Sequence, residues 1–302
     1  MRPAGGPDSC GSRLRRLSTP GLLTVDCRLS TLFPVPPAPL RRLTATRYVL
    51  PLREGGSLPA LVEAEDGRLW VLKFRAAGQG PKALVAELLG GELARAAGLE
   101  VPELALVDVE AALGKTEPDQ ETQELVTRSA GLNLALAYLP GSVMFDPAAG
   151  PRPPAATASA VVWLDAYLSN VDRTARNPNL LTWKRGLWLI DHGAALYWHH
   201  DWDPARDRTA DPFAPIRDHV LLRLAEALPE ADVVLRERLD DEVIARAVGL
   251  LPDEWLEGQP PFDTPDQHRA GYLSYLRARR DRSAAFVERA REEAARAGAR
   301  GV

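Results

Sequence analysis

Apolar residues follow different periodicities in the two halves of this sequence. In the first half, short apolar runs bounded by turn signals such as Glu65-Asp-Gly67 are typical of strands. We predict strands over 45–52, 59–64, 68–74, 104–109 and 132–138, with a polar insertion around 118–121. Over 82–97 the apolar residues instead repeat at three- and four-residue spacing and Gly98 follows, which predicts a helix with a glycine C-terminal cap.

Helical periodicity dominates after Gly141. We predict helices over 155–168, 215–228, 240–250 and 265–298, and a hairpin of two strands over 180–183 and 187–190. Strands first and helices afterwards indicate an α+β, bilobal architecture rather than a parallel sheet. The expected N-lobe, residues 43–141, combines an antiparallel sheet with a helix, and the expected C-lobe, residues 142–302, is mainly helical.

The first 42 residues differ from the rest in composition. They are rich in Pro, Gly, Ser and Arg, which predicts a disordered or loosely attached basic tail. Both cysteines of the chain, Cys10 and Cys27, lie in this segment, so we expect no disulfide framework and a reducing, cytoplasmic location. The net charge of −4 and the lack of a long apolar run predict neither a nucleic-acid nor a membrane partner.

The loop 169–181 carries the residues that most clearly indicate chemistry. Asn177-Pro-Asn179 prevents a helix there. Phosphoryl transfer needs a carboxylate that orients the acceptor hydroxyl and takes its proton, and Asp172 is the candidate. Asn177, together with Asp191 after the apolar strand that follows, offers the oxygen ligands that Mg²⁺ prefers.

Two arginines of the same loop, Arg173 and Arg176, are candidates for neutralising charge on the transferred phosphoryl group. The alternative is a polar loop whose Asp and Asn only cap neighbouring turns. We favour chemistry because an apolar hairpin and an Asp-x-Gly sequence follow the loop.

Lys73 is a cation on an otherwise apolar predicted strand. Such a lysine either extends into solvent at an edge or faces a cleft and binds phosphates. Given the loop at Asp172, we favour the cleft. Glu87 on the predicted helix is the expected ion-pair partner, and Glu92, on a different face of that helix, is the alternative.

Other candidates for nucleotide binding are backbone groups. Gly55, Gly56 and Ser57 lie between the first two predicted strands. The backbone amides of a glycine-rich turn in this place can approach phosphate oxygens. A Gly-Gly pair between strands is, however, more often only a turn. Tyr138 and Leu139 lie where the lobes should join, and their backbone is expected to meet the adenine.

Two adjacent histidines, His199 and His200, are further candidates for metal ligands. Neighbouring histidines rarely bind one ion, and we interpret this segment as an ordered loop near the acceptor entrance.

Over roughly residues 44–200 the sequence resembles the HipA-like kinase family, which has a protein-kinase-like fold. The family's catalytic loop has an Asp, a basic residue four positions later and an Asn one further, which Asp172, Arg176 and Asn177 match. Arg176 stands where the family has Lys, which keeps the charge and changes its geometry. Asp191 matches the family's second metal ligand. Lys73 and Glu87 match its strand and helix pair.

The resemblance implies ATP- and Mg²⁺-dependent phosphorylation, in known members of a Ser or Thr on a translation-related protein. The acceptor stays open between a protein and a small molecule, because Asp172-Arg173 is also similar to the catalytic motif of phosphoinositide kinases. The chain shows no match to the family's regulatory serine loop, so an antitoxin-type partner is not expected. The alternatives to a kinase are a nucleotide-binding scaffold without catalysis (a pseudokinase) and an AMP transferase using the same cleft.

Overall fold

The computed structural model describes residues 40–52, 58–149, 151–203 and 206–299. Most of the predicted N-terminal tail, residues 1–39, therefore lies outside the described residues. Arg41 and Arg42 were assigned to that tail from composition, but they begin the first strand, because their backbone pairs with a strand of the sheet.

Five strands form the sheet of the N-lobe, and all five were predicted. They are β1 (Arg41–Pro51), β2 (Ala60–Ala64), β3 (Leu69–Lys73), β4 (Leu104–Val109) and β5 (Gly131–Ala137). Their order is β1-β2-β3-β5-β4, and neighbours in that order are antiparallel. The predicted antiparallel sheet is confirmed, and residues 41–44 of β1 also pair in parallel with residues 105–108 of β4.

Helix α1 (Pro81–Ala96) follows β3, as its periodicity predicts. Gly98 adopts a positive φ of 84° just beyond the helix. The Gly98 amide donates to Arg95 O and the Leu99 amide donates to Ala94 O, which satisfies the last carbonyl groups of the helix. The glycine cap is therefore confirmed.

A second helix covers the face of the sheet opposite α1. Helix α2 (Gln120–Arg128) begins with the Asp119 side chain, which accepts from the Thr122 amide, and it occupies the region we read only as a polar insertion. A 3₁₀ helix over Ala111–Thr116 precedes it. Trp70, Leu72 and Val126 are fully buried in the resulting core.

The C-lobe is built around helix α3 (Ala155–Leu168), which is buried along most of its length. A short strand β6 (Val143–Met144) pairs with β7 (Leu180–Trp183), and β7 forms the predicted hairpin with β8 (Gly186–Leu189). The loop 169–179, which carries Asp172 and Asn177, therefore starts from a rigid helix and ends in a strand.

Five further helices complete the described part of the C-lobe. They are α4 (Leu228–Arg238), α5 (Asp241–Gly249), α6 (Asp253–Leu256), α7 (Pro265–Asp281) and α8 (Ala284–Ala299). The predicted helix over 215–228 is wrong, since only two 3₁₀ turns occur there, and Pro229 lies in the first turn of α4. The predicted helix over 265–298 is divided at Arg282–Ser283.

Helix α1 belongs to the same hydrophobic core as the C-lobe. Leu88, Leu89 and Leu93 are completely buried in that core. Direct hydrogen bonds also join the lobes: Trp255 Nε1 donates to Leu132 O at 3.1 Å, and Lys82 Nζ donates to His199 O at 2.7 Å. None of the helices within the described ranges is both long and apolar enough to cross a bilayer.

Candidate active site between the lobes

Lys73 lies at the end of β3 and faces the interior, since its side chain is only 10% exposed. Its Nζ lies 2.6 Å from Asp191 Oδ1 and 3.8 Å from Glu87 Oε2. Burial by itself would lower the pKa of Lys73, but the charges of Glu87 and Asp191 outweigh it and raise the pKa. The lysine is therefore a fixed cation at the cleft, as its place on an apolar strand suggested.

Glu87 is the partner of Lys73, and the alternative Glu92 is not. Glu92 lies 3.6 Å from Arg95 on its own helix, and burial raises the pKa of its carboxyl group. Burial would likewise raise the pKa of Glu87, but Lys73 and His192 lower it. The pair predicted from strand and helix spacing is confirmed as a contact. Its catalytic role stays a prediction.

His192 ties the turn after Asp191 to α1. The imidazole is fully buried, with Nδ1 3.8 Å from Glu87 Oε1. It fits there because residue 90 is glycine: a Cβ at that position would lie 2.5 Å from His192 Cβ. Helix α1 and the segment carrying Asp191 can therefore pack closely only through this glycine.

Asp172 and Asn177 contact each other directly. The Asp172 Oδ2 atom accepts from Asn177 Nδ2 at 2.7 Å and from Asn179 Nδ2 at 3.4 Å. Because Asn177 uses its amide nitrogen in this bond, its carbonyl oxygen is the atom left to bind a cation.

Asp191 reaches the same region from the hairpin. Its backbone has a positive φ of 55°, a strained value for a non-glycine residue of the kind that clusters at functional sites. The Ile190 amide donates to Asn179 O at 3.1 Å. The backbone just before Asp191 therefore lies beside the end of the loop that carries Asn177. The structure therefore shows two contacts at this site: Lys73 with Asp191, which the sequence did not predict, and Asp172 with Asn177 on the predicted catalytic loop.

The expectation for Arg173 is wrong. Its side chain is buried, and Nε donates to Asp165 Oδ2 at 2.6 Å instead of facing the cleft. Arg173 therefore cannot neutralise a transferred phosphoryl group. Arg176 is exposed on the same loop, and its role stays a prediction.

Three residues missed by sequence analysis support the catalytic loop. Asp165 on α3 accepts from Arg173, from Asn170 Nδ2 at 2.8 Å and from His219 Nε2 at 3.0 Å. An Asp inside the apolar stretch 161–168 is a signal that could have identified this site, because buried carboxylates are nearly always paired. Nothing in the sequence distinguishes Asn170 or His219.

The predicted nucleotide-binding backbone is only partly described. Gly55, Gly56 and Ser57 lie outside the described residues. At the junction of the lobes, Tyr138 is partly exposed and Leu139 is buried. The Tyr138 amide already donates to Leu69 O at 3.0 Å, so this amide is not available to the adenine.

His199 and His200 belong to a buried aromatic cluster. The Nε2 atoms of the two rings lie 3.1 Å apart, and His199 Nδ1 lies 3.1 Å from the Tyr272 hydroxyl. Burial, with the neighbouring charges of His200 and Lys82, lowers the pKa of His199 well below its usual value. Across the described residues, no group of three His, Cys, Asp or Glu side chains is placed to hold a metal ion.

The protein has one lobe of sheet and helix and a second lobe that is mainly helical. The first carries a lysine–glutamate pair and the second carries a loop with Asp and Asn. These features together define the protein-kinase class of fold. The sequence matches the HipA-like kinase family over residues 47–280. Because this match spans more than half of the chain, the protein belongs to the HipA-like kinase family. A search of curated proteins finds none that matches.

The chain aligns with solved structures of kinases. The Helicobacter pylori proinflammatory kinase CtkA aligns with a TM-score of 0.51 at 13% identity, over 85% of this chain and 99% of its own. A Golgi casein kinase with Mn and ADP bound aligns with a TM-score of 0.43 at 12% identity, over 88% and 76% of the two chains. Another structure of the Golgi casein kinase gives 0.44 at 13% identity, over 88% and 74%.

Proposed function

We propose that this protein is an ATP- and Mg²⁺-dependent phosphotransferase that transfers the γ-phosphoryl group to a hydroxyl acceptor. The observation that carries the proposal is that Lys73 of the N-lobe contacts Asp191 of the C-lobe, beside the Asp172–Asn177 pair of the catalytic loop. The hydrogen bond from the Ile190 amide to Asn179 O joins the two pairs.

The donor atoms of this site fit Mg²⁺ and phosphate. Mg²⁺ is usually bound by one or two carboxylates together with substrate phosphates, and it does not need a cluster of protein ligands. Asp191 offers a carboxylate that is 30% exposed, and Asn177 offers an amide oxygen. Lys73 supplies a fixed positive charge for phosphate oxygens, with Glu87 behind it to hold the ammonium group in place.

ATP, when bound, supplies the γ-phosphoryl group, and the bond to the β-phosphate oxygen breaks as ADP leaves. Asp172 orients the acceptor hydroxyl and accepts its proton as the new oxygen–phosphorus bond forms. Asn177 and Asn179 fix the Asp172 carboxylate by donating to Oδ2. Its other oxygen therefore remains for the acceptor.

The candidate place for the acceptor is a pocket that the start of the catalytic loop helps to line. This pocket of about 410 Å³ lies next to Val171 and is walled by Tyr197, Phe213 and Tyr275. The acceptor class stays open between a protein Ser or Thr and a small molecule. No feature of this pocket supports an antitoxin-type partner, and a cytoplasmic location remains the expectation from cysteine usage.

Position-specific labelling of ATP tests the proposal. We expect label from the γ-phosphate, and not from the α-phosphate, to appear on the protein, an added acceptor or inorganic phosphate when Mg²⁺ is present. Transfer of α-label would instead support the AMP transferase. Tight ATP binding without release of either label would support the scaffold. Asp266→Asn, whose side chain is 95% exposed and pairs with Arg269 rather than with a site residue, is the control variant.

A further inference from the structure

Arg173 lies at the centre of a buried polar cluster behind the catalytic loop. Its Nε and the His219 Nε2 both contact Asp165 Oδ2, at 2.6 and 3.0 Å. Asp165 and Arg173 are almost completely removed from water. A buried ion pair of this kind adds little to stability, because the cost of removing both charges from water offsets much of their attraction. Stability alone therefore does not explain why Arg173 and Asp165 are buried together.

The same guanidinium joins the two halves of the active site. Arg173 Nη1 donates to Asn179 O, at the end of the catalytic loop, and to Ile190 O at 3.3 Å. Asn179 contacts the candidate base Asp172, while Ile190 immediately precedes the candidate metal ligand Asp191. One side chain therefore spans the gap between the base and the metal ligand.

His219 orients this cluster from the segment that follows the active site. The Leu221 amide donates to His219 Nδ1 at 3.0 Å, so Nδ1 is the acceptor and Nε2 carries the proton. His219 Nε2 then donates to Asp165. The Val220 amide also donates to Arg173 O at 3.1 Å, which ties this segment to the loop backbone.

We infer that Arg173, held by Asp165 and His219, is a positioning residue that sets the spacing between Asp172 and Asp191. The inference rests on the proposed function, since spacing matters only if both carboxylates serve one reaction. A guanidinium suits this role because its planar fork presents several donors in fixed directions, whereas a lysine ammonium on a flexible stem does not. A misplacement of about 1 Å at reacting groups can cost about 100-fold in rate.

The test compares Arg173→Lys with Arg279→Lys. Lysine at position 173 keeps the charge beside Asp165 and loses the fork that reaches both carbonyl groups. Arg279 is the matched control: it is equally buried and donates to Tyr167 O at 2.8 Å and Ala166 O at 2.7 Å, without contacting the catalytic loop. We expect Arg173→Lys to lower kcat by about 10- to 100-fold with an unchanged KM for ATP, and to raise the Mg²⁺ concentration needed for half-maximal rate. Arg279→Lys should lower the thermal unfolding temperature and leave kcat unchanged.

Hydrogen exchange gives a readout that does not depend on activity. In Arg173→Lys the Ile190 amide, which donates to Asn179 O, should exchange faster than in the wild type and in Arg279→Lys. If Arg173→Lys does not fold, His219→Gln and His219→Leu replace it. Glutamine can keep a donor near Asp165 and leucine cannot, so only the leucine variant should show the lower kcat.

The two proposals fail differently. Wild-type protein that never releases γ-phosphate overturns the proposed function. An Arg173→Lys protein with wild-type kcat, Mg²⁺ requirement and Ile190 exchange overturns the positioning role and leaves the proposed function intact. The same loss of kcat in Arg279→Lys would also overturn it, because any buried arginine would then have the same effect.

Discussion

The ammonium group of Lys73 lies 2.6 Å from the carboxylate of Asp191, although 118 positions separate the two residues in the chain. One residue ends a strand of the N-lobe and the other follows a strand of the C-lobe. Their ion pair therefore joins the two lobes at the site proposed for phosphate and metal. In the proposed mechanism, a metal ion at Asp191 would compete with Lys73 for this carboxylate, and phosphate oxygens would give Lys73 an alternative partner.

Asp191→Ala should remove the Mg²⁺ dependence of nucleotide binding. The wild type should bind ATP more tightly with Mg²⁺ than without it, because Asp191 supplies a charged oxygen ligand. In the variant, calorimetric titrations with and without Mg²⁺ should give the same affinity. A variant that keeps the full Mg²⁺ effect would remove Asp191 from the metal site. Asp266→Ala, altered at an exposed carboxylate, is the control.

Asp172→Asn should separate binding from turnover. The substitution keeps the size of the side chain and removes its ability to accept the acceptor's proton, so we expect turnover to fall by about 10²- to 10⁴-fold. ATP affinity should be preserved, since the contacts of Lys73 do not involve Asp172. Steady-state release of γ-phosphate and equilibrium binding measure the two quantities. Turnover close to the wild-type value would show that Asp172 is not the base.

Gly90→Ala should destabilise the protein, although alanine is ordinarily the better helix former. An added Cβ would lie 2.5 Å from His192 Cβ, so α1 and the turn after Asp191 must separate. The expected cost is about 1–3 kcal/mol in the free energy of unfolding, measured by urea denaturation. Gly249→Ala in α5 is the matched control, since a Cβ there meets nothing within 4 Å and should stabilise by up to about 1 kcal/mol. Equal effects of the two substitutions would contradict the contact with His192.

Asp165→Asn should lose stability in a manner that depends on pH. Burial would raise the pKa of Asp165, but Arg173 and His219 lower it well below the value of about 3.9 expected in the unfolded chain. The carboxylate therefore contributes its full stabilisation above about pH 4, and this contribution declines as the pH falls below that value. Removing it leaves the Arg173 charge unpaired, which costs about 3–5 kcal/mol at neutral pH.

The measurement is the free energy of unfolding of wild type and Asp165→Asn from pH 7 downward. The difference between the two proteins should be constant near neutrality and should shrink as the solution becomes acidic. A difference that stays the same down to about pH 3 would show that the Asp165 pKa is not lowered.

The spacing of residues along the chain was sufficient to predict the local secondary structure. The five strands of the N-lobe, helix α1 with its glycine cap and the hairpin β7–β8 follow from periodicity and turn residues, which act over a few positions. The region 215–228 shows the limit of this reasoning. Its apolar residues suit a helix, but they pack into the core as two 3₁₀ turns that follow Phe213, which has a positive φ of 54°.

The sequence by itself determined the order of the elements and the residue types at the candidate site: Lys73 on a strand, Asp172 and Asn177 on a loop, Asp191 after a hairpin. Only the tertiary structure decided which charges meet. Neighbouring arginines of one loop diverge, Arg173 into the core and Arg176 to the surface. The physical reason is the distance along the chain over which each effect acts. Periodicity and capping depend on residues that are close in sequence. Burial of a charge instead depends on partners such as Asp165 and His219, which only packing brings together.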